Sequence, residues 1–135
     1  KLFTESVAHF GGQVDFLLHS IGMSPNVRKG KTYDDLNYEW YKQTLDISAM
    51  SFHRMLQSAK RTDALANGSS VVALSYIAAQ RVFPGYGDMA DAKALLESIG
   101  RSWGYYLGLE KKIRVNTISQ SPTQLQKSMK SILKT

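Results

Sequence analysis

The chain has 135 residues, a formal net charge of +6 and a pI near 9.6, with 43% hydrophobic and 10% aromatic residues, enough apolar material for one domain with a real core and too much for a disordered chain. It contains no cysteine, which excludes a disulfide framework and a thiol nucleophile and favours a reducing compartment. No apolar run reaches the ~18 residues of a membrane span and no charged-then-apolar leader is visible, so a soluble, cytoplasmic protein without a membrane partner is expected.

Residues Leu2 to Phe10 place Leu2, Phe3, Val7 and Phe10 at helical spacing and stop at Gly11-Gly12. Val14 to Ile21 is a short, nearly continuous apolar run, the pattern of a strand covered on both faces of a parallel sheet. Residues 22 to 34, with Pro25, Asn26 and Gly30, read as a loop. In an open α/β sheet the residues just past a strand's C-terminal end line the ligand crevice. A long helical region is predicted from about Asn37 to Ala66 with a break near Asp46, which would cap its second part; Ile47, Met50, Ser51, Met55 and Leu56 keep its stripe. Asn67-Gly68 signals a turn and Ser70 to Leu74 a second strand. Another helix carries Lys93 and runs through Leu95, Leu96, Ile99, Trp103 and Leu107 to about Glu110. Ile113 to Ile118 alternates with β-branched residues, a third strand ending at Ser119. After Ser121-Pro122-Thr123, Leu125, Met129, Ile132 and Leu133 predict a short amphipathic helix. The order helix, strand, helix, strand, helix, strand gives an α/β class: a partial doubly wound, Rossmann-like parallel sheet of three strands with flanking helices.

Ser75 to Lys93 concentrates the chemistry. Tyr76 closes the second strand, Pro84-Gly85 punctuate a loop, and Tyr86, Met89 and Lys93 share one face if the segment is helical. A lysine one face-length from a tyrosine stabilises the phenolate and improves the phenol as a donor to a carbonyl oxygen that gains negative charge. On spacing alone, a packed tyrosine with a solvated lysine is the commoner origin of such a pattern.

Other matches carry less. Gly85-Tyr86-Gly87-Asp88-Met89-Ala90 fits G-x-G-x-x-A, yet Pro84 precedes it and the strand has ended several residues earlier. Tyr38 and Lys42 form a Tyr-x-x-x-Lys pair that follows no strand and reads as surface. His9, His19 and His53 lack ligand spacing, which argues against a metal; His19 reads as a buried hydrogen-bonding residue. No G-x-S-x-G elbow is present, so Ser69, Ser70 and Ser75 have no hydrolase context. The basic residues are scattered in small groups such as Arg28, Lys29 and Lys31, without a nucleic-acid motif, and read as a solvated face.

The combination His19-Ser20-Ile21-Gly22, Asp46-Ile47-Ser48, Ser75-Tyr76, then Tyr86, Met89 and Lys93, and finally Arg114 to Ser119 closely resembles the NADH-dependent enoyl-acyl-carrier-protein reductases, within the short-chain dehydrogenase superfamily. The intervals of ten from Tyr76 to Tyr86 and of seven from Tyr86 to Lys93 are its most specific part, since the wider superfamily usually sets its tyrosine and lysine four apart. The resemblance implies reduction of trans-2-enoyl thioesters with NADH in fatty acid elongation, an acyl carrier protein as partner and a homotetrameric parent. It assigns catalytic roles to Tyr76, Tyr86 and Lys93 and cofactor contacts to Ser20, Ile21, Lys93 and Thr123. It places Ser24, Tyr76, Tyr86 and Met89 at the substrate.

Reductases of this kind begin with a strand and a glycine-rich pyrophosphate loop. Neither is visible here, and the chain opens on Lys1. It is therefore expected to be the central part of one reductase domain, lacking the glycine-rich half and the C-terminal end, with the strand at Val14 an exposed edge. Leu125 offers no hydroxyl to a phosphate where the family continues with threonine and small residues. Two other readings stay open: a short-chain dehydrogenase acting on a carbonyl or alcohol, and a catalytically silent remnant.

Overall fold

The computed structural model describes residues 1–121, and the amphipathic helix expected around Leu125 to Leu133 lies outside them. Helix α1 (Leu2–Phe10) ends at Gly11 as its glycine pair predicts. Strand β1 (Val14–His19) follows, then the short helix α2 (Pro25–Arg28), a 3-10 turn at Tyr33–Asp35 and helix α3 (Tyr38–Leu45). The 22 to 34 stretch is therefore a structured crossover rather than a bare loop. Ser24 caps α2 through Val27 N at 3.0 Å, and Asn37 caps α3 through Trp40 N at 3.0 Å.

The predicted break near Asp46 is a π-helical turn, Asp46–Met50, which runs directly into α4 (Ser51–Arg61). Asp46 keeps right-handed helical dihedrals and pairs with Arg54 at 3.0 Å, so it continues the helix where the sequence suggested a cap. The extra residue of a π turn rotates the positions that follow it. Here Ser48 is buried, and Ser51 lies 2.8 Å from His19.

Helix α4 stops at Arg61, five residues short of the predicted end. Asp63 takes a positive φ of 49°, and Ala64 O accepts from Val14 N at 2.7 Å, so the chain is already aligned with β1. Strand β2 (Leu65–Tyr76) is correspondingly longer than the predicted Ser70 to Leu74. Asn67-Gly68 does not separate two elements. The register moves from Val14 opposite Leu65 to Phe16 opposite Ser70, and the surplus residues of β2 bulge there, with Gly68 at a φ of 73°. A 3-10 turn (Ile77–Ala79), helix α5 (Gly87–Lys111) and strand β3 (Arg114–Gln120) complete the fold.

The three strands form one parallel sheet in the order β1-β2-β3. One face carries Leu17, Val71, Ala73 and Val115 and packs on Phe52, Leu56 and Leu96 in a single core. The other face is open: Phe16 is 56% exposed, and Leu18 and Ile118 are each 50% exposed. The expectation of a strand covered on both faces is thus met on one face among the described residues. Among the described residues strand β1 pairs with β2 alone and is an edge, as expected. The basic surface is partly neutralised by exposed carboxylates, Lys31 with Asp35, Lys60 with Glu110 and Lys111 with Asp63. Tyr38 and Lys42 are indeed at the surface, where Lys42 bridges to Glu39 at 2.8 Å.

Candidate active site

The parallel order brings the C-terminal ends of β1, β2 and β3 to one rim, and the first turns of α5 stand beside it. Tyr76 is the last residue of β2 and Tyr86 the residue before the first helical position of α5. Their rings lie 4.7 Å apart at 44°, and Phe83 closes the group edge-on, 5.5 Å from Tyr76 and 6.3 Å from Tyr86. The chain between the two tyrosines turns back on itself through Gln80, Arg81 and Tyr86 backbone bonds. A spacing of ten thereby becomes ring contact. Beyond Phe83 opens a cavity of about 720 Å³, lined by apolar residues of this loop, including Ala78, Val82 and Pro84, and by Thr32 and Tyr33.

Lys93 lies two turns into α5 and is only 8% exposed. Its Nζ donates to Leu74 O at 2.6 Å, and no carboxylate pairs with it among the described residues. Burial lowers its pKa below the usual lysine range. A Cβ added to Gly22 would sit 3.8 Å from Lys93 Nζ and 3.6 Å from Met89 Cε, so the loop after β1 passes directly over both side chains. Ser20 and Ile21 precede that crossing and are exposed.

The shift of Tyr86 runs opposite to the one expected from a neighbouring lysine. Burial, and then neighbouring Tyr76, raise the Tyr86 phenol above its ordinary value. The ammonium is spent on the strand carbonyl and acts instead on His19, whose imidazole is held low by burial and then by Lys93. Tyr86 therefore remains a neutral phenol well above pH 7, able to donate a hydrogen bond. His19 is buried with Nε2 2.8 Å from Ser51 Oγ, as its place at a strand end predicted.

Three further side chains hold this rim, and sequence reasoning assigned a role to none of them. Ser48 Oγ accepts from Met23 N at 2.9 Å and donates to Met23 O at 3.0 Å, pinning the loop that carries Ile21 and Ser24. Glu97 accepts from Ser75 Oγ at 2.6 Å, fixing the residue before Tyr76 to α5. Asp88 is fully buried and accepts from Ser24 Oγ at 2.7 Å, Asn26 Nδ2 at 2.8 Å and Thr44 Oγ1 at 2.8 Å. The Ser24 hydroxyl is thus committed to a buried network, whereas Tyr76 meets Tyr86 ring to ring and Met89 and Lys93 meet below Gly22. Thr123 lies outside the described residues. One signal for Asp88 existed: with Ala92 and Leu96 it occupies i, i+4 and i+8 of a stripe that is otherwise fully buried and apolar. Asn26, Thr44 and Ser48 carried no such signal, because their partners are distant in sequence.

No group of three or more metal-ligating side chains comes together, and no helix is long and apolar enough to cross a membrane, among the described residues. The family described as Enoyl-(Acyl carrier protein) reductase matches residues 1–134. The chain is 37% identical over 123 residues to enoyl-[acyl-carrier-protein] reductase [NADH] 2, chloroplastic, of Oryza sativa subsp. japonica, covering 90% of this chain and 32% of that protein. Identity is 40% over 123 residues to the enoyl-[acyl-carrier-protein] reductase [NADH] FabI of Rickettsia bellii, covering 90% and 45%. Among solved structures, FabI from Alistipes finegoldii superposes with a TM-score of 0.87 at 64% identity, covering 90% of this chain and 46% of that one; its complex with NADH gives the same score and identity. The chain spans less than half the length of each of these relatives. With a family match over nearly every residue and a Rossmann-like sheet that superposes on these structures, the chain belongs to the enoyl-(acyl carrier protein) reductase family.

Proposed function

We propose that this chain forms the nicotinamide- and substrate-facing half of an NADH-dependent reductase that saturates trans-2-enoyl thioesters carried on acyl carrier protein during fatty acid elongation. The observation that carries the reading is the contact of Tyr76 with Tyr86 beside a buried lysine that has no carboxylate partner among the described residues. The side chains fit a nicotinamide nucleotide: among the described residues one Lys93 N–H group is taken, by Leu74 O, and the crossing above it is a glycine with no side chain to fill the space. Lys93 would hold ribose hydroxyls, with Ser20, Ile21 and Thr123 contacting the same cofactor. When bound, NADH supplies the hydride added to the β-carbon of the thioester.

Negative charge then develops on the thioester oxygen. Tyr86, kept protonated by burial, donates its hydrogen bond there, and the interaction strengthens as the enolate forms. Tyr76 lines the acyl side and assists protonation of the α-carbon. Met89 and Ser24 would shape the substrate wall, Ser24 through its grip on the helix start rather than through a free hydroxyl. An acidic carrier protein suits the net charge of +6, which steers association and is screened by salt. The parent is proposed to assemble as a homotetramer.

The test uses a full-length reductase containing this segment, assayed by NADH oxidation with a crotonyl thioester. Tyr86→Phe is expected to lower kcat on the order of 10²-fold, as loss of an oxyanion donor does. Full retention of rate by that variant would remove the assigned role.

A further inference from the structure

We propose that Asp88 is a positioning residue for Tyr86, fixing the donor phenol to the loop after β1 through Ser24, Asn26 and Thr44; the proposal rests on the role given to Tyr86 above. The backbone of Tyr86 is held within its own turn, its N–H donating to Phe83 O at 3.2 Å and its carbonyl accepting from Met89 N at 3.1 Å, but its hydroxyl has no hydrogen-bond partner among the described residues. Glycines flank it on both sides, Gly85 at a φ of 81° and Gly87 at 47°, and leave the joints of that turn softer than any other residue would. The ring contacts to Tyr76 and Phe83 limit sliding but do not set direction.

The next side chain is Asp88, and it is fully buried. Its Oδ1 accepts from Ser24 Oγ, and its Oδ2 from Asn26 Nδ2 and from Thr44 Oγ1, whose single hydrogen is shared with Trp40 O at 2.8 Å. The three donors are neutral and stand on the cap of α2, on α2 itself and on α3. Asn26 is anchored in turn, its Oδ1 accepting from Asn37 N at 2.9 Å and its Nδ2 donating to Asn37 O at 3.1 Å. One helical turn further, Asp91 accepts from Tyr33 Oη at 3.0 Å and Tyr41 Oη at 2.7 Å, a second grip on the same crossover.

A carboxylate buried without a cation is expensive, and an apolar side chain on the Asp88, Ala92, Leu96 stripe would pack there at lower cost. What the carboxylate provides and an apolar side chain lacks is direction. Three bonds to two oxygens fix the rotation and height of the first turn of α5, and hence where Tyr86 enters the rim relative to Gly22 and Ile21. An error of about 1 Å in such a placement can lower a rate on the order of 10²-fold.

The experiment compares Asp88→Asn, Thr44→Val and Thr44→Ser in the full-length reductase, alone and with Tyr86→Phe, reading kcat and KM for NADH and a crotonyl thioester. Asp88→Asn preserves shape but replaces one carboxylate oxygen with an NH2 donor, so the bond from Ser24 Oγ must reverse even where the remaining oxygen keeps Asn26 and Thr44. Its kcat is expected to fall at least ~tenfold while KM for NADH stays within about threefold, as loss of a transition-state interaction does. Thr44→Val should lose less, and Thr44→Ser, which keeps the hydroxyl, should restore the rate. In the Tyr86→Phe background the same changes should add almost nothing, because a positioner has no further effect once the positioned hydroxyl is gone. Equal losses in both backgrounds, or an unchanged kcat for Asp88→Asn, would overturn the proposal. If Asp88→Asn does not fold, the Thr44 pair decides by the same comparison. Should Tyr86→Phe itself retain full rate, the functional reading fails; a slow Tyr86→Phe with fully additive clamp variants sinks the clamp alone.

Discussion

Helix α5 buries Asp88, Lys93 and Glu97 in its first half, and in its second half sets Gly100, Gly104 and Gly108 against strand β3. Each buried polar group in the first half reaches a neighbouring element, Lys93 to Leu74 O on β2, Glu97 to Ser75 and Asp88 to α2 and α3. In the second half the glycines lie close to the strand end of the sheet, tightest at Gly100. A Cβ on Gly100 would meet Thr117 Cγ2 at 3.2 Å, on Gly104 Val115 O at 3.6 Å and on Gly108 Ile113 O at 3.7 Å. Both halves depart from what a helix prefers. Glycine lowers helix stability and buried charge resists desolvation. The second half recovers its loss through close helix-to-strand packing, and the first half places chemistry at the rim.

The largest stability change expected from this contrast is at Gly100. Gly100→Leu forces a branched side chain between Thr117 and Phe52, whose Cε1 already lies 3.9 Å from an added Cβ. A loss of about 3 kcal/mol is expected from such overpacking. Urea unfolding measures it, and an unchanged midpoint would show that the helix can slide off β3 freely.

In the first half the expected sign is opposite. Lys93→Met replaces a buried ammonium with an apolar chain of similar length and should stabilise the fold by about 1 kcal/mol. NADH affinity should fall at least ~tenfold in the full-length protein. A variant that lost stability as well would mean that the bond to Leu74 O outweighs desolvation.

A smaller effect tests how far the charge of Lys93 reaches. Burial first, and Lys93 second, hold the His19 imidazole below its usual value of 6.5. The folded state therefore refuses a proton that the unfolded chain accepts, so stability falls as pH drops below 6.5 toward the folded value. Lys93→Met should shrink that acid loss, and His19→Gln should abolish it, in unfolding curves taken across the range. An acid slope identical in all three proteins would place its origin elsewhere.

Gly108→Ala is the mildest change. The added methyl finds 3.7 Å of clearance at Ile113 O, so helix propensity decides, and a gain of about 0.5 kcal/mol is expected. Together with Gly100→Leu it grades the stripe from crowded to permissive. A loss at Gly108 would extend the close packing to the end of the helix.

The sequence by itself determined the alternation of helices and strands and the parallel α/β class, because strand and helix periodicity are local properties of the chain; the Tyr76, Tyr86 and Lys93 intervals singled those residues out without deciding how they pack. It did not determine where β2 begins, because the bulge at Asn67-Gly68 is set by pairing with Val14 and Phe16, and a turn dipeptide reads the same in a bulge as between two elements. Nor did it determine what the lysine does. Spacing put Lys93 and Tyr86 on one helix face, yet the packed strand supplies Leu74 O, and burial, with Tyr76 behind it, raises the phenol that the cation was expected to lower. The clamp on Asp88 was equally out of reach, since Ser24, Asn26 and Thr44 converge from as far as 64 residues away. Such contacts belong to tertiary structure because a short polar side chain has no periodicity of its own; its partner exists only once the elements have packed.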